Sequence, residues 1–177
     1  MSAEFYALTE ATGLTPSYWA GRLGMSETTA QQWTTPHADP PRAVIDTLDA
    51  VLTWQHEKLA LLRSVAEQGQ RVWLMCFADE LDFIAVYGDS LPWLAYERLI
   101  SLAYADLRVA HLPAVLHTFD AQAFHQWRGD HPDTPELRAH WLATLGDPAG
   151  DLAAADSLIV SAFDAPERSG NLSLIHI

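Results

Sequence analysis

Apolar positions recur at helical spacing along most of the chain. Phe5, Leu8 and Ala11 share one face of a helix expected over Ala3–Thr12. In "LTPSYW", Thr15 is a candidate N-cap and Pro16 takes the first helical position, where a missing N–H costs nothing. That helix runs to Leu23, and Gly24 can end it in the left-handed conformation. Ser26 then caps a short helix over Glu27–Trp33. After the turn-rich "TTPHADPP", a long amphipathic helix is expected from about Pro41 to Glu67. Val44, Ile45, Leu48, Val51, Leu52, Leu59 and Leu62 form its inner face.

The pattern breaks at "EQGQ". "RVWLMCF", Arg71–Phe77, is short, apolar and rich in β-formers, and is the one strand expected. Helices follow over Asp79–Tyr87 and Trp93–Leu107. Two more are expected in "FDAQAFHQW" and "PELRAHWLATL", separated by the polar loop "RGDHPDTP". No internal repeat is evident. The fold class is therefore mainly α with a small β element. We expect a DNA-reading part over 1–68, an α+β dimerisation part over 69–145, and a weakly ordered helical tail over 146–170. "LSLIHI", Leu172–Ile177, is the translation of a transposon mosaic-end sequence used in DNA library preparation. We expect it to be foreign to the protein and leave it out of the fold reasoning.

The stretch Gly13–Trp33 predicts a helix-turn-helix. Counted from Pro16, Ala20 is fifth, Gly24 ninth, Ala30 fifteenth and Trp33 eighteenth. The fifth must be small because two helices cross there, and the ninth lies in the turn and favours positive φ. The fifteenth and eighteenth face the small core, with Trp19, Leu23 and Met25 filling the other inward places. In this motif the start of the second helix enters the major groove. Glu27, Thr28, Gln31 and Gln32 are therefore the candidate base readers. Gln can bond adenine, Thr can touch a thymine methyl, and Glu can accept from cytosine. Arg22, Ser26, Thr29 and Arg42 are the candidate backbone contacts.

Charge complicates this reading. The chain holds 23 acidic against 10 Lys and Arg side chains, a net of −13. Residues 1–54 carry six acids and only Arg22 and Arg42 as bases, so that part is itself near −4. Phosphate attraction independent of sequence should be weak, and the salt dependence of binding shallow. The composition points to a selective binder rather than a DNA-coating protein. It also keeps open a protein-interaction module, antitoxin- or adaptor-like, that holds the same shape without binding DNA. A third reading is a small-molecule-responsive regulator with an apolar pocket in its Trp-rich second half.

No enzyme chemistry stands out. Cys76 is the single cysteine, which excludes an internal disulfide, and in an apolar strand it reads as a small buried hydrophobe. His111, His117, His125, His131 and His140 lie at irregular intervals near Asp120, Asp130 and Asp133, unlike the tight spacing of zinc sites. Neither a metal nor another cofactor is expected. No apolar run reaches the roughly 18 residues of a membrane span. "MSAEFYALTE" lacks the basic and apolar regions of a secretory signal, so a cytoplasmic protein is expected.

The order of elements downstream carries a resemblance. A strand, a short helix with "DFIAVYGD", and a helix opened by Trp93 and Tyr96 follow Trp33 and the long helix, with Phe83 and Tyr87 between. This arrangement resembles the YdiL-like family of bacterial helix-turn-helix proteins, which includes the anti-CRISPR-associated autorepressors of phages and mobile elements. Trp127, Asp133, Arg138 and Trp141 look like an extension seen in longer relatives. The resemblance covers about residues 5–145. It implies a homodimeric repressor on an inverted repeat of double-stranded DNA near its own promoter, with the second half as the dimerisation module. RNA stays open as a ligand.

Overall fold

The computed structural model describes residues 2–36, 38–89 and 91–146. The expected tail over 146–170 falls, beyond its first residue, outside the described residues, as does Leu172–Ile177. Among those described, eight helices and two strands follow one another: α1 (Ser2–Thr12), α2 (Pro16–Leu23), α3 (Glu27–Gln32), α4 (Arg42–Glu67), β1 (Val72–Cys76), α5 (Glu80–Tyr87), α6 (Trp93–Val109), β2 (Ala114–Thr118), α7 (Ala121–Arg128) and α8 (Pro135–Gly146). The fold is mainly helical with a small β element, as the apolar spacing predicts, and that element is a two-stranded parallel sheet. No described helix is long and apolar enough to cross a membrane.

Two compact units divide inside α4, between Glu57 and Lys58. The expected boundary near Gly69 is therefore displaced by about three turns of helix. The first unit also takes in Pro92–Leu99. The physical reason is a buried amide. Gln55, only 1% exposed, donates through Nε2 to the carbonyls of Thr12 (3.2 Å) and Ala95 (2.9 Å). Gly13 adds a second tie. It sits at φ +81°, and a Cβ there would lie 2.8 Å from the Leu94 carbonyl oxygen and 3.0 Å from the Arg98 Cβ. Only glycine permits both that backbone conformation and that approach.

The core of the first unit gathers Phe5, Leu14, Trp19, Ala20, Ala30, Trp33, Val44, Leu48, Val51 and Ala95. Phe5 meets Trp33 edge to face at 5.7 Å. Val44, Leu48 and Val51 hold the inner face of α4 as expected, but Leu52 is 37% exposed. Gln55 takes the next inward position instead, because the stripe advances by three or four residues per turn.

In the second unit, β1 and β2 run parallel, with Val72 opposite Ala114 and Cys76 opposite Thr118. β2 was not expected from the sequence. Its burial is partial, whereas Val72 to Met75 are all buried. Cys76 corrects another expectation: it ends the strand and is only partly buried.

The unit also holds an internal repeat. Each strand is followed by a phenylalanine (Phe77, Phe119), then an aspartate N-cap. Asp79 accepts from the Asp82 amide at 3.0 Å, and Asp120 from the Ala123 amide at 2.8 Å. Each capped helix spans eight residues. Four positions after its cap comes a buried phenylalanine, Phe83 or Phe124. Each helix ends at a glycine with positive φ, Gly88 (69°) or Gly129 (56°), followed by Asp89 or Asp130. The rings meet in the middle, with Phe77 5.4 Å from both Phe83 and Phe119, and Phe119 5.5 Å from Phe124 and Trp141.

Candidate nucleic-acid interface

α2 and α3 form as their capping residues dictate. The Thr15 hydroxyl accepts from the Tyr18 amide at 3.4 Å, and Pro16 occupies the first turn. α2 stops at Gly24, whose φ of 63° places it in the left-handed region with open space around it. The requirement there is backbone conformation, not room. The Met25 amide closes the turn on the Ala20 carbonyl at 3.0 Å. Ser26 then starts α3 by accepting from the Thr29 amide at 3.1 Å.

The inward residues are those the spacing selects. Ala20 and Ala30 are 7% and 0% exposed, and Trp19 and Trp33 are buried beside them. Leu23 and Met25 are partly buried and pack against the same core. The small side chains of Ala20 and Ala30 let two helices share one core without a bulky residue between them. Trp19 enters with its indole N–H unbonded to any described residue.

The outward residues divide into two groups. Glu27, Thr28, Thr29, Gln31 and Gln32 are all exposed along α3, as are Ser17, Arg22 and Ser26. Some already bond one another. The Glu27 carboxylate accepts from the Ser17 hydroxyl, and from Gln31 Nε2 at 3.3 Å. This ties the first turn of α3 to the first turn of α2. The Ser26 and Thr29 hydroxyls are 2.8 Å apart. Arg42 pairs with Asp46 at 2.9 Å, one helical turn along α4, with both side chains more than half exposed. Such an exposed pair contributes about 0.3–0.5 kcal/mol and opens readily.

Thr28, Gln32 and Arg22 are different. Their side chains are exposed, and no hydrogen bond or ion pair to a described residue engages them. The structure thus brings the eight outward candidates onto the α2–α3 stretch and the start of α4, and three of them have side chains with no bond to a described residue. The Glu27–Gln31 bond was open to prediction, since Glu and Gln four apart on a helix are neighbours. The Ser17–Glu27 contact was not, because it depends on how α2 and α3 meet.

The other sequence candidates lie in the second unit. His117 packs against Trp141 at 6.1 Å, and His140 against Trp127 at 5.7 Å. No three His, Cys, Asp or Glu side chains converge on a metal site among the described residues. Arg138, part of the extension over Trp127–Trp141, has a packing role. It is 8% exposed, bonds Asp133 at 2.6 Å and lies 5.9 Å over the Tyr87 ring. It therefore belongs to the packing of this unit. Compared with known proteins, the chain matches no protein-family model and no curated sequence.

Proposed function

We propose that this chain is a sequence-specific DNA-binding transcriptional regulator whose reading element is α2–turn–α3. One observation carries the reading: small and aromatic residues at the inward positions, a left-handed glycine in the turn, and an exposed polar α3 with Thr28 and Gln32 unengaged. Thr28 and Gln32 are the base readers in this proposal, and Glu27 and Gln31 hold the helix in place beside them. Arg22 and Arg42 reach phosphates, Arg42 by exchanging its exposed bond to Asp46. Ser26 and Thr29 lie nearby.

The proposal extends, on the resemblance to the YdiL-like family, to a homodimeric repressor on an inverted repeat at its own promoter. It acts in the cytoplasm with no chemical step. Two copies would present α3 to successive major grooves, about 34 Å apart. The second unit supplies the contacts between copies.

Fluorescence anisotropy of the protein on DNA upstream of its own gene, against a shuffled duplex, tests this at low and physiological salt. Preference for the upstream DNA with a shallow salt slope is expected, because few phosphates are neutralised. Gln32→Ala should weaken specific binding by about 1–3 kcal/mol and relax one base position. An equal loss on every duplex would remove Gln32 from the base readers. A second reading is favoured by Glu27 on the exposed face and the −4 charge of residues 1–54: a protein-docking module of the same shape. A folded protein with no preference for either duplex would select it.

A further inference from the structure

α5 turns an apolar stripe to solvent. Leu81 is 77% exposed and Ile84 40%. Ala85 and Gly88 are exposed on the same side. At about 100° per residue these four positions share one face, and Glu80 and Asp82 lie along its two borders. Asp79 caps one end and Asp89 follows the other. Residues 78–92 contain no Lys, Arg or His. Among the described residues the guanidinium that reaches this helix is that of Arg138, which is buried and already bonded to Asp133.

The repeat supplies an internal control. In α7 the positions matching Leu81, Ile84 and Ala85 are Gln122, His125 and Gln126, all exposed. The positions matching Glu80 and Asp82 are Ala121 and Ala123. The same helix, capped the same way, needs neither an apolar outer stripe nor acidic borders in order to fold. The acidic borders also suit the first turn, where Glu80 and Asp82 meet the positive end of the helix dipole; the apolar outer stripe has no such cause within the helix. Exposed Leu and Ile rimmed by charge are what a docking face presents.

We propose that the outer face of α5 docks a basic amphipathic segment of another protein. Apolar side chains of the partner would cover Leu81 and Ile84, and its Lys or Arg side chains would meet Glu80, Asp82 and Asp89. Charge selects this occupant over a second copy of the chain. Two α5 faces brought together would oppose four carboxylates from each copy, with no base in either segment to offset them. The proposal goes beyond DNA reading and does not depend on it.

The test uses the full chain and a fluorescent Leu- and Lys/Arg-patterned helical peptide. A scrambled peptide of the same composition and an analogue with Glu for the bases serve as controls. Saturable binding of the basic amphipathic peptide alone is expected. Double substitution Leu81→Gln with Ile84→His should weaken it by about tenfold or more, and Glu80→Gln by less. Hydrogen exchange on the unsubstituted chain reads the site without any variant, and protection on peptide binding should centre on Glu80–Asp89. Operator binding by the double variant should be unchanged, which separates this face from the DNA-reading proposal. No saturable binding, equal binding of the scrambled peptide, or an unaffected double variant would overturn the proposal. So would a dimer in sedimentation that the double variant converts to monomer, since the occupant would then be a second copy.

Discussion

The two strand–helix arms of the second unit, Val72–Asp89 and Ala114–Asp130, are built to one plan and finished differently. Both keep the phenylalanine after the strand, the aspartate cap, the buried ring one turn into the helix and the positive-φ glycine. These are the places where backbone groups need a partner or a ring fills shared space. The outer faces answer to no such demand, and there the arms part: leucine and isoleucine with acidic borders on α5, glutamine and histidine with alanine borders on α7. Where two copies of one device agree, packing and capping dictate the residue. Where they differ, the surroundings do.

The comparison can be broken most forcefully at the buried rings. Phe83→Ala and Phe124→Ala should each lower stability by about 3–5 kcal/mol in urea unfolding. A much smaller loss in one arm would show that the rings are not equivalent. Next comes an ion pair that lies just beyond the second arm and, among the described residues, has no counterpart after the first. Asp133→Ala leaves the buried Arg138 guanidinium without its carboxylate. It should cost about 2 kcal/mol, below the range for fully buried pairs because the Asp133 side chain is 37% exposed. Smaller still, Asp79→Ala and Asp120→Ala should each cost about 1 kcal/mol, and matching losses would sharpen the equivalence of the caps. Exchanging the outer faces should do least. Leu81→Gln and Gln122→Leu are each expected to stay within about 0.5 kcal/mol of the parent. A large loss from Leu81→Gln would give α5's outer face a structural duty and undo the contrast.

The helices were legible from apolar spacing, and α2 and α3 also from the caps Thr15 and Ser26, with Gly24 at a stop. The Asp79 and Asp120 caps came to light only in the structure. β2 was not legible. "AVLHT" is short, ends in two polar residues and is only partly buried, so its strand identity comes from pairing with β1. The repeat could have revealed it, but Ala78 separates Phe77 from its cap where Phe119 and Asp120 are adjacent. One inserted residue hides the match from a fixed-period search. Gln55 was hidden for the opposite reason. A polar residue on an apolar stripe signals nothing until its two carbonyl partners are found, and these lie at positions 12 and 95. At the candidate interface, the division into inward and outward residues was readable from spacing. The capture of Glu27 by Ser17 was not, because it arises only when α2 meets α3.

Gln55's reach to Ala95 sets a timetable for synthesis. The two residues are 40 positions apart, and the unit that contains α2 and α3 needs both. At about 5–20 residues per second, a ribosome takes about 2–8 s to make the stretch between them. During that interval the nascent chain already carries Trp19, Trp33 and Leu48 but lacks the piece that covers Gly13 and answers Gln55. The amino-terminal half thus emerges with an unfinished, sticky core. That core can close only once Pro92–Leu99, which lies between β1 and β2 in the chain, has left the exit tunnel.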